Sequence, residues 1–378
     1  MPGRIVVFGA TGYTGRLVVE RLAAAGAAPV LAGRNEERLK RLAASMDGDV
    51  QTVKADVMRQ NSVFEMVGPD DVLVTTVGPF NKWGDPAVRA AIAAPCPYMD
   101  STGESTFIRR IFEEFSGPAE AAGVPLMTAM GYDFVPGSLA GALALEEAGE
   151  DAVRVDVGYY SLGAGLDMGS AGTKESLVGV TLDPGYKFEG GRLVSDRPAA
   201  RVRSFEVKGR DRPAVSVPAA EHFALPASYP RLQEVNVYLG WFGPLARAMQ
   251  AGSLATSMVT RLPGARTVLQ KAGERLVSLT GSPEPGTTPG GLSWIAATAY
   301  STSGDPLAEV HLSGADGYEF TASFLAWAAR RTLATGVDGA GALGPVRAFG
   351  LETLEAGCAA AGLTRVREPA ATWRTAPD

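Results

Sequence analysis

The run Gly9-Ala10-Thr11-Gly12-Tyr13-Thr14-Gly15 limits what this chain can fold into more than any other stretch, because three glycines at this spacing build a tight turn with an open, backbone-lined mouth. It follows Arg4-Ile5-Val6-Val7-Phe8, a short β-branched run of the kind that forms a buried parallel strand. Leu17, Val18, Leu22 and Ala25 then recur at helical spacing up to Gly26, and Pro29 opens a second strand through Ala32. Strand, turn, helix and strand make the unit in which a dinucleotide pyrophosphate meets a helix N-terminus. Gly9 permits the turn, Gly12 admits the phosphates to the backbone, and Gly15 lets helix and strand pack closely. Thr11, Tyr13 and Thr14 complete the binding loop, with the threonines as extra hydroxyl donors.

The second strand ends Ala32-Gly33-Arg34-Asn35, where an NAD enzyme would offer an acid to the ribose 2′-hydroxyl. A guanidinium there can form charge-assisted bonds to a 2′-phosphate, so Arg34, with Asn35 beside it, points to NADP(H). Asp56, after the third strand, can accept from the adenine amino group or cap a helix.

Beyond the glycine turn the periodicities alternate. Helices are predicted over 35–45, 60–67, 86–94 and 105–115, and strands over 50–54, 72–77, near Tyr98 and over 124–129. Such alternation predicts an α/β chain with a Rossmann-like, doubly wound parallel sheet. After a helix over 138–148 the pattern changes. Strands are expected over 153–160, 295–300 and 308–312, hairpin-like runs near 186–194 and 202–207, and helices over 245–262, 265–279, 321–334 and 346–361. This describes a second, mixed α+β unit for substrate binding or dimerisation over 141–339. The cofactor unit is expected to be discontinuous, formed by 1–140 and the return of about 340–378.

Composition narrows the chemistry. A net charge of -6 without a run of like charges argues against a nucleic-acid partner. Two cysteines are too few for a disulfide framework, and the N-terminus shows no cationic, apolar leader, so a cytoplasmic protein is expected. The longest charge-free stretch, 285–304, is rich in Pro, Gly, Ser and Thr, and no transmembrane segment is expected. None of the ten tyrosines is followed four residues later by lysine, which removes the proton-donating pair of the short-chain dehydrogenases. No G-x-S-x-G elbow or P-loop occurs, and the two histidines, His222 and His311, give no metal-ligand spacing.

Several separated segments resemble the saccharopine dehydrogenase-like NADP-binding reductases, a family that includes trans-acting enoyl reductases. They are the glycine turn, Ala32-Gly33-Arg34, Val77-Gly78-Pro79-Phe80 followed by Trp83-Gly84, Tyr98-Met99-Asp100-Ser101-Thr102-Gly103-Glu104, and Gly131-Tyr132-Asp133-Phe134-Val135-Pro136-Gly137. Weaker likeness continues at Gly172-Thr173-Lys174-Glu175-Ser176 and at Gly317-Tyr318-Glu319-Phe320. The resemblance implies an NADP-binding domain joined to a substrate domain, with hydride transfer in the cleft between them.

On that reading Val77, Gly78, Pro79 and Phe80 approach the nicotinamide from the carboxyl end of a strand. Tyr98, Asp100 and Glu104 should gather at the same sheet edge as Tyr132 and Asp133. Tyr132 is the first candidate proton donor, with Asp133 orienting it or binding substrate; Asp100 and Glu104 can equally cap a helix. Lys174 can bind a carboxylate or thioester carbonyl, and Trp241, in the apolar run Tyr238-Leu239-Gly240-Trp241-Phe242, can line a lipophilic pocket or an interface. The leading expectation is an NADPH-dependent reductase of an activated C=C bond in an acyl, lipid or polyketide-like compound. The alternatives are a C=N reductase of saccharopine type and a non-catalytic NADP-binding sensor. A second copy of the chain is one candidate partner.

Overall fold

A computed structural model describes residues 3–162, 185–241, 243–259 and 291–366. Six short strands follow the alternation of the N-terminal region: β1 (Ile5–Phe8), β2 (Val30–Gly33), β3 (Thr52–Lys54), β4 (Val72–Thr75), β5 (Tyr98–Asp100) and β6 (Pro125–Met127). With a late strand, β15 (Gly341–Ala342), they form one parallel seven-stranded sheet in the order β15-β6-β5-β4-β1-β2-β3. Strand order reverses between β1 and β4, so the loops that leave their carboxyl ends part there and open a crevice. That crevice lies at the glycine turn.

Side chains alternate between the two faces of this sheet. Val7, Leu31, Val74 and Met99 pack with Val18, Val19 and Leu22 of helix α1 (Tyr13–Ala24) and with Phe320, Phe324 and Leu325 of the helix Gly317–Thr335. Val6, Phe8, Leu73 and Tyr98 form the opposite layer with the helix Asp85–Ala93 and the helical run 105–121. Both faces are therefore dry, which suits strands that are apolar throughout.

The second sheet holds nine strands. Its main path runs β10 (Val202–Glu206), β11 (Asp211–Ser216), β12 (Glu234–Leu239), β7 (Arg154–Leu162), β13 (Leu292–Tyr300), β14 (Pro306–Gly314) and β16 (Leu363–Arg365). A hairpin of β8 (Gly185–Glu189) and β9 (Arg192–Asp196) attaches through β12. The β12–β7 pair is parallel and its neighbours antiparallel, a mixed sheet as expected. The helix Val135–Ala148 joins the two sheets. Every residue from Val135 to Leu145 is buried, as for a helix that is apolar all round, and each fully buried leucine contributes roughly 2 kcal/mol against exposure. One continuous core passes from α1 through this helix to β7 and β13, so the two sheets share an interior.

Several elements differ from the periodicities. The helix predicted over 321–334 begins at Gly317, because the Asp316 carboxylate accepts from the N–H groups of Tyr318 and Glu319 and starts it a turn earlier. The helix predicted over 346–361 is broken at Gly350, whose φ of +74° interrupts it into Pro345–Phe349 and Leu351–Ala360. The strands β11 and β12 and the helix Glu221–Ser228 fall where no element was anticipated. The predicted helix over 265–279 lies outside the described residues. Among the described residues no helix is long and apolar enough to cross a membrane, and Cys96 and Cys358 are free and buried.

Candidate active site

The glycine turn is held from both sides. Gly9, at φ +92°, donates its N–H to Ala32 O at 2.9 Å, and its own carbonyl accepts from Gly12 N–H at 2.9 Å. A side chain at Gly15 would run its Cβ into that carbonyl, so α1 can approach β1 only through glycine. No side chain caps α1 at Gly12, and the positive end of the helix faces the crevice with Thr11 and Thr14 half-buried beside it. Tyr13 packs edge-on against Tyr318, ring centroids 4.9 Å apart, and Arg21 pairs with Glu319. The turn is thereby fixed to the helix Gly317–Thr335. This backbone cradle and uncapped helix start fit a dinucleotide pyrophosphate.

At the end of β2, Arg34 is exposed and its side chain holds no hydrogen bond or ion pair among the described residues. Asn35 caps the next helix by accepting from Arg38 N–H at 3.0 Å. Asp56 accepts from Met58 N–H at 3.0 Å, closing a turn ahead of the helix Gln60–Phe64 rather than capping it.

The loop after β4 is organised by Glu104. Its two carboxylate oxygens accept from the backbone N–H groups of Phe80, at 2.7 Å, and Asn81, at 2.9 Å. Glu104 therefore caps the short helix Phe80–Trp83, not the helix that follows it in sequence. This corrects the expectation for Phe80. Its side chain is buried against Phe107, centroids 5.6 Å apart, and only Val77, Gly78 and Pro79 keep exposed surface at the crevice.

Two substrate-binding expectations are also corrected. Tyr98 has no exposed surface and lies in the core layer beneath the helix Asp85–Ala93, where burial pushes its phenol far up. Asp100 is equally buried, and its Oδ1 accepts from Thr102 N–H and Ala129 N–H, both at 2.9 Å. Burial pushes that carboxyl up to about 6 against those two bonds. Asp100 ties the end of β5 to the end of β6, and a substrate has no access to it.

Tyr132 and Asp133 leave β6 in opposite roles. The Tyr132 hydroxyl donates to Tyr160 O at 3.2 Å, its ring packs on Tyr159 and Phe320, and burial pushes its phenol well up. Its proton is committed to a backbone carbonyl of the second sheet. Asp133 is half-buried, next to Gly103, with no hydrogen-bond partner among the described residues. Burial pushes its carboxyl up to about 6, and among the described residues no cation pulls it back. Trp241 follows β12 beside Tyr159, since Gly240 N–H donates to Tyr159 O at 2.8 Å; its indole N–H is buried and without a partner among the described residues. Lys174 lies outside the described residues.

Two groups were not singled out by the sequence. Tyr159 and Glu221 meet through a 2.5 Å hydrogen bond in the buried contact between the sheets, and a lone acid within Pro-Ala-Ala-Glu-His-Phe-Ala-Leu was the one available signal. His222 is buried and neutral, pushed down to about 4 by desolvation, and His311 pairs with Glu309. Among the described residues no group of His, Cys, Asp or Glu is placed to hold a metal ion.

Comparison with known proteins agrees with this geometry. Residues 9–108 match the NAD(P)H-binding family. A trans-acting enoyl reductase of Mycobacterium leprae (strain TN) is 36% identical over 140 residues, covering 36% of this chain and 34% of its own. The trans-acting enoyl reductase of Mycobacterium tuberculosis (strain ATCC 25618 / H37Rv) is 34% identical over 140 residues, with the same coverage of 36% and 34%. The aligned part thus spans about a third of the curated relatives' length. Among solved structures, apo saccharopine dehydrogenase (L-Glu forming) from Saccharomyces cerevisiae superposes with a TM-score of 0.58 at 13% identity, covering 94% of this chain and 96% of that one. The chain carries an NAD(P)H-binding domain and has the fold of that dehydrogenase, as the motif resemblance implies.

Proposed function

We propose that this chain is an NADPH-dependent reductase acting on an activated C=C bond of an acyl, lipid or polyketide-like substrate. The observation that carries the reading is Asp133, a half-buried carboxyl beside Gly103 on the carboxyl side of the parallel sheet, pushed up to about 6 by burial and free of any hydrogen-bond partner among the described residues. NADPH, when bound, supplies the hydride for the electrophilic β-carbon of the substrate. Asp133 gives its proton to the α-carbon and regains one from solvent, which completes the addition of two hydrogens. The Gly9–Gly15 turn and the α1 N-terminus receive the pyrophosphate, and Arg34 receives the 2′-phosphate as the exposed cation at the end of β2. Val77, Gly78 and Pro79, held in place through Glu104, border the nicotinamide.

The electrostatics favour an acyl substrate over an amino dicarboxylate. Among the described residues no cation pulls down either Asp133 or Glu221, whereas a saccharopine-type substrate would need positive charge for its carboxylates. The names of the mycobacterial relatives support the same chemistry. A cytoplasmic setting accords with the two buried free thiols, and a homodimer through the second unit is part of the proposal.

The test is NADPH oxidation by the purified chain with two electrophiles, a medium-chain trans-enoyl N-acetylcysteamine thioester and a cyclic imine carboxylate. Turnover of the thioester is expected. Turnover of the imine alone would assign the chain to C=N reduction, and tight NADPH binding without turnover of either would favour a sensor.

A further inference from the structure

The loops that leave β4, β5 and β6 lie side by side at the carboxyl edge of the parallel sheet, and one short run, Asp100-Ser101-Thr102-Gly103-Glu104, bonds to all three. Asp100 Oδ1 accepts from the N–H groups of Ala129, after β6, and of Thr102, both at 2.9 Å, and the Asp100 carbonyl accepts from Met130 N–H at 2.8 Å. Thr102 Oγ1 in turn accepts from Glu104 N–H at 3.0 Å. Glu104 carries the bonds on to the N–H groups of Phe80 and Asn81, after β4, at 2.7 and 2.9 Å. Asp100, Thr102 and Glu104 are all buried. Glu104 leaves the helix that follows it, Ser105–Arg110, without a side-chain cap and spends its carboxylate on a loop 24 residues upstream.

We propose that Asp100, Thr102 and Glu104 are positioning residues forming one buried frame, linked through Thr102, that sets the spacing between Asp133 and the nicotinamide wall of Val77, Gly78 and Pro79. On one side Asp133 lies against Gly103, where a Cβ would stand 3.3 Å from its Oδ2, and Gly103 sits between the two partners of the Thr102–Glu104 bond. On the other side Phe80 and Asn81 follow Pro79 directly, so their bonds to Glu104 fix where the wall ends. A carboxylate that takes two backbone N–H groups holds them by charge-assisted bonds, and burial keeps water from replacing them. A shift of either loop is therefore passed to the other. Hydride and proton must both reach one C=C bond, and a misplacement of about 1 Å costs roughly 100-fold in rate. The inference rests on the proposed placement of the nicotinamide, and on the reductase reading only for its effect on rate.

The experiment uses the full chain with Thr102→Val, which keeps the shape and removes the accepting oxygen, Thr102→Ser, which keeps that oxygen, and Glu104→Gln, which turns one accepting oxygen into a donor. The first reading needs no substrate. It is NADPH affinity by calorimetry, together with collisional quenching by acrylamide of the emission of the bound nicotinamide. Affinity should stay within about twofold throughout, because the glycine turn and Arg34 are distant and untouched. The unsubstituted chain and Thr102→Ser should shield the ring, while quenching in Thr102→Val and Glu104→Gln should rise toward that of free NADPH. Equal quenching in Thr102→Val and the unsubstituted chain would overturn the frame, and so would an unsubstituted chain quenched as fully as free NADPH. Thr102→Ala removes the same oxygen without added bulk and takes the place of any variant that does not fold.

The second reading is kcat and KM for the enoyl thioester. Thr102→Val should lower kcat by roughly 100-fold with KM changed by less than about threefold, and Thr102→Ser should keep kcat within about threefold of the unsubstituted chain. A role in stability alone would lower the melting temperature of Thr102→Val without separating its kcat from that of Thr102→Ser. Turnover of the thioester at one rate by every variant would overturn the frame and leave the reductase reading standing. If the thioester is never reduced yet quenching parts the variants as described, the reductase reading fails and the frame stands.

Discussion

The turn at the head of α1 occupies seven consecutive residues and offers a ligand mostly backbone, whereas the buried contact between the sheets joins Gly137 to Tyr159 and Tyr159 to Glu221, which lie 22 and 62 residues apart. Both need glycine. At Gly15 it lets a helix cross a carbonyl, and at Gly137 it lets a hydroxyl and a carboxyl reach a backbone N–H. The first is rigid because the space is closed by main chain, which cannot yield. The second is held by side-chain hydrogen bonds whose strength follows protonation and which isosteres can partly reproduce. Recognition of the cofactor and placement of the acid are therefore built from different materials, and substitutions should separate them.

The largest separation is expected at Asp133. Replacing it with Asn removes a carboxyl that has no hydrogen-bond partner among the described residues, so kcat/KM for the thioester should fall by roughly 10²–10⁴-fold. NADPH affinity, measured by quenching of intrinsic fluorescence, should stay within about twofold. A variant with full activity would take the proton-donor role from Asp133. Next comes Gly15→Ala, whose methyl meets the Gly9 carbonyl. Overpacking against main chain costs about 1–3 kcal/mol, so NADPH binding should weaken by up to ~100-fold by the same titration. Unchanged affinity would mean that α1 can shift, and that the turn is as plastic as the side-chain contact.

This contrast also explains what was legible in the sequence. The Gly9–Gly15 turn could be read because every constraint on it comes from residues within one βαβ unit, and short apolar runs such as Ile5–Phe8 and Val72–Thr75 announce their own burial. Tyr98 misled because a tyrosine two residues before Asp100 shares its face of β5, and that face is the one covered by the helix Asp85–Ala93. Glu104 misled because its partners, Phe80 and Asn81, stand 24 and 23 residues upstream. Tyr159 and Glu221 carried no local mark, since β7 reads as an ordinary buried strand and the helix that Glu221 opens is short, with Pro226 inside it. Spacing reveals a site made by one turn of chain; a site made by the pairing of β7 with β12 and the docking of two sheets appears only with the register.

Arg34 sharpens the comparison from the exposed side. Its guanidinium is held by nothing among the described residues, so its contribution should be specific to the ligand and cost the fold little. Arg34→Asp should weaken NADPH on the order of 10-fold, through loss of a charge-assisted bond and gain of a repulsive charge, while NADH affinity changes by less than about twofold. Equal losses for both nucleotides would move the 2′-phosphate contact elsewhere.

Tyr132→Phe should have the smallest effect, and it decides which of two adjacent residues serves the chemistry. The Tyr132 hydroxyl donates to Tyr160 O at 3.2 Å, the backbone N–H of the same residue donates to Thr321 Oγ1 at 2.9 Å, and the ring stands edge-on to Tyr159 at 5.7 Å. Phenylalanine keeps the ring and the backbone bond and gives up one hydroxyl bond, a loss of about 1 kcal/mol that thermal unfolding should register as a fall of about 2 °C. Because that proton is already shared with a carbonyl of the second sheet, kcat/KM should change by less than about threefold. A fall of about 100-fold would show that the hydroxyl leaves Tyr160 during the reaction, return the donor's role to Tyr132, and make the acid's placement as dependent on local sequence as the cofactor turn.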